Sequence, residues 1–122
     1  MFKTLINGNN QSSIAITDRG LHYGDGLFET IAVYTGIPQL WHRHWRRLSR
    51  ACARLGIEGI DEGILHDEAH KICDGIERGI LKIIVTRGGG GRGYRPSLNQ
   101  PATRILATYA WPEYPIANWQ EG

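Results

Sequence analysis

The sequence predicts an α+β domain in which an antiparallel sheet carries two helices packed on one face. Two observations predict it. Short apolar stretches rich in β-branched residues open the chain and return near its end, and between them lie two segments with apolar residues at helical spacing. At 122 residues and 41% apolar, the chain is long enough for one hydrophobic core.

Residues 4–10 read as a short strand running into an Asn/Gly turn. A second apolar stretch, residues 13–16, stops at Thr17-Asp18-Arg19-Gly20, read as a turn or a short irregular segment. Residues 27–34 form a buried strand, and Thr35-Gly36 turns it into Ile37-Pro38-Gln39-Leu40, which makes a hairpin. In the first helix Trp41, Trp45, Leu48, Cys52 and Leu55 share the inner face, and Gly56 stops it. Arg43, Arg46, Arg47, Arg50 and Arg54 occupy the opposite side. The second helix starts at Asp61, a candidate N-cap, and runs to Cys73. Leu65, Ala69 and Ile72 are its inner stripe, and Gly75 ends it. Residues 80–86 and 103–109 complete the strands, and Lys82 faces outward from its apolar surroundings. Residues 1–110 are the domain, and the tail from Trp111 to Gly122 looks like the start of an interdomain connection.

Several function classes fall away. No stretch approaches the roughly 20 apolar residues of a membrane span, and the N-terminus has no signal-peptide architecture. The expectation is a soluble cytoplasmic protein. Cys52 and Cys73 lie on apolar helix faces and read as buried thiols rather than a disulfide. A net charge of +2 does not call for nucleic acid. The tryptophans near the arginine stripe lie on the inner face, so they cannot stack on bases from the arginine side. That stripe reads most simply as solvated, and position alone does not single out Arg47 within it. Eleven arginines against three lysines is the more telling bias, because a guanidinium fork grips carboxylates and phosphates.

His66 and His70 stand at i and i+4, but a zinc-protease helix would carry Glu where Asp67 stands, and no third ligand follows. No metal is expected; the pair reads as a solvated helix face. The run from Gly88 to Gly93 matches G-x-G-x-x-G only because four glycines are consecutive, and Pro96 argues against the helix a dinucleotide loop needs. Two readings stay open: a flexible hairpin connection, or a loop that carries Arg92 and Tyr94 into a ligand site.

The densest stretch is Asp18-Arg19-Gly20-Leu21-His22-Tyr23-Gly24-Asp25-Gly26-Leu27-Phe28-Glu29-Thr30. With its acids, glycines and rings it is too irregular for plain core, although a purely structural turn remains an alternative. Asp18-Arg19-Gly20, Tyr23-Gly24-Asp25-Gly26 and Phe28-Glu29 resemble the opening signature of the fold-type IV pyridoxal-phosphate enzymes. That family includes branched-chain aminotransferases, D-amino-acid aminotransferases and aminodeoxychorismate lyases. His44-Trp45-Arg46-Arg47-Leu48 is similar to the family's His-x-x-Arg-Leu, and Thr86-Arg87-Gly88 to the strand end that follows. Within the family, Gly91-Arg92-Gly93-Tyr94 and residues 101–106 look most like the bacterial aminodeoxychorismate lyases. Phe28 and Tyr94 stand where D-amino-acid aminotransferases carry tyrosine and histidine.

The resemblance implies a function. The chain would be the N-terminal domain of a homodimeric enzyme that converts 4-amino-4-deoxychorismate to 4-aminobenzoate and pyruvate in folate biosynthesis. Arg47 would bind the phosphate of pyridoxal 5'-phosphate, Arg92 and Tyr94 would hold a substrate carboxylate, and Phe28 would line the pocket wall. His44 and Arg19 would shape the site. The family's Schiff-base lysine belongs to a C-terminal domain and is expected beyond Gly122, while Lys3, Lys71 and Lys82 match nothing catalytic. By itself this chain is therefore expected to be inactive. The rivals are a D- or branched-chain amino-acid aminotransferase and a non-catalytic binding or dimerisation domain.

Overall fold

Residues 3–89 and 101–112 are described by a computed structural model. The elements are β1 (Thr4–Ile6), α1 (Arg19–Tyr23), β2 (Gly26–Tyr34), β3 (Ile37–Pro38), α2 (Trp41–Leu55), α3 (Glu62–Cys73), β4 (Arg78–Thr86) and β5 (Thr103–Ala110). The strands form one antiparallel sheet in the order β1-β5-β4-β2-β3. The predicted α+β class is the observed one.

Alternation sorts the strands into two faces. Ile31 and Val33 of β2, Leu81, Ile83 and Val85 of β4, Leu106 of β5 and Leu5 of β1 all point to the helix side. There they meet Leu48 and Cys52 of α2 and Leu65, Ala69, Ile72 and Cys73 of α3 in a single core. Each fully buried aliphatic side chain contributes about 1.5–3 kcal/mol, so this shared layer dominates the stability. Helix α2 leans on β2, while α3 lies against β5 and both sheet edges, which requires the sheet to curl around it.

Local chemistry explains the boundaries. Thr35 and Gly36, the two residues between β2 and β3, both have positive φ (48° and 75°), as a tight two-residue hairpin requires. The Asp61 side chain accepts the Ile64 N–H at 2.9 Å and starts α3. Gly56, in the left-handed region at φ 70°, ends α2 and returns its N–H to Cys52 and Ala53.

The structure departs from the sequence reading at three places. The segment read as a turn at Asp18–Gly20 leads into a helix, α1, because Asp18 caps it by accepting the Gly20 N–H at 2.8 Å. Residues 13–16 join no strand, and Ile16 is exposed. Leu55, expected on the inner face of α2, is exposed at the helix end, where Ile57 turns in to cover the core instead. Cys52 and Cys73 are free and buried, as expected. The His66 ring packs 4.8 Å from Trp41 and its Nε2 lies 3.0 Å from that of His70. The two imidazoles hydrogen-bond to each other on an exposed face of α3, as read from the sequence, with His66 half-buried against Trp41. Among the described residues, no group of three or more potential ligands could hold a metal, and no helix is long and apolar enough to cross a membrane.

Candidate anion-binding site

The irregular stretch before β2 is held by two acids, the buried Asp18 and the half-buried Asp25. Asp18 receives the hydroxyls of Thr86 at 2.7 Å and Thr103 at 2.8 Å, and thereby ties the loop to the ends of β4 and β5. Thr86 in turn accepts the Gly88 N–H at 3.1 Å, and Arg19 donates its backbone N–H to the Gly88 carbonyl at 2.7 Å. Asp25 sits between two guanidinium groups, with Arg87 Nε at 2.7 Å and Arg19 Nε at 3.1 Å. The Arg87 bond does most to lower the Asp25 pKa; burial opposes it, and Arg19 assists. Gly26 is required where the chain enters β2, since a Cβ there would meet the Val85 carbonyl oxygen at 2.5 Å.

Three residues further, Glu29 points to the helix side of the sheet, as alternation from Ile31 and Val33 dictates. A carboxylate in that position needs partners, and α2 supplies two. His44 and Arg47, three residues apart, lie on one face of the helix. His44 Nδ1 is 2.7 Å from Glu29 Oε1, while Arg47 donates Nε to Oε2 at 2.9 Å and Nη2 to Oε1 at 2.9 Å. Burial pushes the Glu29 carboxyl up, but the bonds from Arg47 and His44 outweigh it and leave the pKa below the usual value. Glu29 raises the Arg47 pKa, so the guanidinium stays charged.

The cation remains open even so. The Glu29 side chain is 7% exposed and that of Arg47 71%. Among the described residues, Arg47 is the member of the α2 arginine stripe that meets a carboxylate. Its Nε and Nη2 are fixed, and Nη1 is left for a further acceptor. A guanidinium oriented from behind by a fork, charged at any working pH and facing solvent, fits a phosphate well.

Phe28 lies on the other face of β2, 61% exposed, with Lys82 Nζ 4.8 Å from its ring centre. Lys82 therefore does face away from the core. Since β3 pairs only Val33 and Tyr34, the first half of β2 keeps an open edge on that side. Phe28 stands on one face of this edge, and Glu29 with its arginine on the other. Arg19 is buried behind the loop and His44 is partly buried against Glu29, so neither is presented outward. Arg92 and Tyr94 lie outside the described residues, as does the tail from residue 113 to Gly122. The Schiff-base lysine expected beyond Gly122 lies outside them as well.

Sequence reasoning named Arg47 and Phe28 but gave no role to Glu29, Asp18, Asp25 or Arg87. One signal was available for Glu29: it is an acid at an inward position of an otherwise apolar strand, and such a group must be paired. The bonds of Asp18 span 68 and 85 residues and leave no local trace.

The family model described as amino-transferase class IV matches residues 26–120. An aminodeoxychorismate lyase of Vibrio harveyi is 33% identical over 116 residues, 95% of this chain and 42% of that protein. A D-alanine aminotransferase of Bacillus licheniformis is 34% identical over 97 residues, 74% of this chain and 34% of the relative. In three dimensions the chain resembles the crystal structure of 4-amino-4-deoxychorismate lyase from Pseudomonas aeruginosa. The TM-score is 0.87 at 43% identity, covering 98% of this chain and 44% of that one. The chain thus spans less than half the length of these relatives.

Proposed function

The chain belongs to the amino-transferase class IV family, and from that premise we propose that it is the N-terminal domain of a pyridoxal-phosphate-dependent aminodeoxychorismate lyase. The whole enzyme would convert 4-amino-4-deoxychorismate to 4-aminobenzoate and pyruvate as a cytoplasmic homodimer. Residues 1–110 form the domain in this reading. Residues 111–122 begin the connection to a part beyond Gly122 that carries the Schiff-base lysine. The observation that carries the proposal is the oriented yet exposed guanidinium of Arg47, fixed by the buried Glu29 of β2. The likeness to two lyases over almost the whole chain supports the choice of reaction.

Each residue has a task. Arg47 holds the cofactor phosphate, and Glu29 and His44 keep its fork in one orientation. Bound pyridoxal phosphate supplies an electron sink for charge that develops when a proton leaves the substrate carbon. Arg92 receives a substrate carboxylate, Tyr94 donates its phenol O–H to the same group, and Phe28 forms an apolar wall. Holding the phosphate and carboxylate ends together fixes the reacting carbon in one place, which can account for several kcal/mol of barrier lowering.

The test is the full-length protein incubated with 4-amino-4-deoxychorismate, with 4-aminobenzoate and pyruvate followed by chromatography. Stoichiometric release of both is expected. Transfer of an amino group from D-alanine or a branched-chain amino acid to a keto acid, without 4-aminobenzoate, would establish an aminotransferase instead. Neither reaction, together with no pyridoxal-phosphate binding, would leave a non-catalytic module.

A further inference from the structure

Arg87 joins three segments that are distant in sequence. Its Nε donates to Asp25 Oδ2 at 2.7 Å, its Nη1 donates to the Gly56 carbonyl at 3.2 Å, and its Nη2 donates to the Leu55 carbonyl. Its backbone N–H also reaches the Asp25 carbonyl at 3.0 Å. The last carbonyls of a helix lack partners inside the helix and carry a partial negative charge. Here the Arg87 guanidinium takes two such carbonyls at the end of α2 while it is itself held by the acid at the entrance to β2.

This bond adds to the packing at the helix end. Leu48 and Cys52 anchor α2 and Ile57 packs just beyond its end, but Ala53, Arg54 and Leu55 are all exposed. The opposite half of α2 carries His44 and Arg47, both engaged by Glu29. Leu55 is eight residues from Arg47, a rise of about 12 Å along a rigid rod. A drift at the Leu55 end therefore displaces the guanidinium at position 47. Arg87 is also the residue from which the glycine run carrying Arg92 departs.

We propose that Arg87 is a positioning residue for the cofactor phosphate: it sets the placement of α2, and through α2 the aim of Arg47. This rests on the reading of Arg47 given above. An anion clamp misplaced by about 1 Å loses much of its affinity, so the effect belongs specifically to the phosphate end of the ligand.

The test uses full-length apoenzyme titrated with pyridoxal phosphate and, separately, with pyridoxal, following the absorbance of the bound chromophore. In Arg87→Ala, the dissociation constant for pyridoxal phosphate is expected to rise about tenfold while that for pyridoxal stays unchanged. In Arg47→Ala the phosphate preference is expected to collapse, and adding Arg87→Ala should then change little, because residues acting on one interaction are not additive. Arg87→Lys keeps the charge but cannot reach three acceptors at once; it is expected to show the same selective loss at smaller size, and it answers the question if the alanine variant does not fold. An equal loss of affinity for both ligands, or a loss that persists in the Arg47→Ala background, overturns the proposal. If Arg47→Ala leaves the phosphate preference intact, the reading of Arg47 falls, and this proposal falls with it.

Discussion

The Glu29 carboxylate lies behind the Arg47 guanidinium, accepting from Nε and Nη2 at 2.9 Å while Arg47 keeps its outer surface in solvent. The pair is unequal. Arg47 can be hydrated without Glu29, but Glu29 cannot be hydrated without moving, so its ionisation depends on its partners.

This inequality gives a pH prediction. Glu29 has a pKa below its ordinary 4.5, because the bonds from Arg47 and His44 outweigh burial. Its contribution to stability is then fully present above pH 4.5 and is lost as pH falls through the lower, folded-state value. In Arg47→Ala, burial has only His44 to oppose it, and the folded-state pKa should rise. The stability that ionised Glu29 contributes at neutral pH then shrinks, and less of it is left to lose as the pH falls below 4.5. Carboxyl NMR titration of Glu29 in both proteins, beside urea unfolding at about pH 7 and about pH 3, checks the sign. A Glu29 pKa unchanged by the substitution would refute it.

Asp18 offers the clearest stability test. It accepts the Gly20 N–H and the hydroxyls of Thr86 and Thr103 in a buried setting, so Asp18→Ala leaves three donors unpaired. Hydrogen bonds to a charged acceptor are worth about 1.5–3 kcal/mol each, and they do not add fully. A loss of about 3–5 kcal/mol is expected, against about half of that for Asp18→Asn, which keeps one acceptor oxygen. Denaturant midpoints measure both, and near-equal small losses would show that the hydroxyls find other acceptors.

How far the sequence disclosed this arrangement depends on the range of each interaction. Both long helices were legible to their ends, because Asp61 and Gly56 are local signals and the Leu48–Cys52 and Leu65–Ala69–Ile72 spacings are periodic. The strands were legible from β-branched runs, and the hairpin from Thr35-Gly36. Helix α1 was missed because five residues show no period, and its cap, Asp18, looks like any turn acid. In the candidate site Arg47 stood out only by resemblance, since four other arginines share its stripe. What separates it is Glu29, 18 residues earlier on a different element. The Arg87 bridge to Leu55 and Gly56 crosses more than 30 residues, and no pattern in the chain announces it.

Two glycines at the entrance to β2, Gly24 and Gly26, should respond in opposite order to a rule based on φ alone. Gly24 has a left-handed φ of 62°, and among the described residues a Cβ there meets nothing within 4 Å. Alanine at this position costs about 1–2 kcal/mol, the strain of that conformation. Gly26 needs no positive φ, yet its Cβ would lie 2.5 Å from the backbone oxygen of Val85. Because a paired strand cannot yield as a side chain can, Gly26→Ala should cost about 3 kcal/mol and loosen the entrance to β2. Melting temperatures of the two variants decide it, and a larger drop for Gly24→Ala would be the contrary result.

The cysteines give a prediction about access to the core. Cys73 is fully buried, and burial raises its thiol pKa to about 11; Cys52 is buried and shifted in the same direction. With that value, about one Cys73 in a thousand is thiolate at about pH 8, and the thiolate is the reactive form. Both side chains also sit under helices that must open before a reagent can enter. A chromogenic disulfide reagent at that pH should therefore find no rapidly reacting thiol in these helices in the native protein, and both should react promptly in denaturant. Since Cys52 and Cys73 belong to one core cluster, their slow native reactions should proceed at similar rates, set by opening of that core rather than by thiol chemistry. Prompt native labelling of Cys52 alone would show that α2 opens independently of α3.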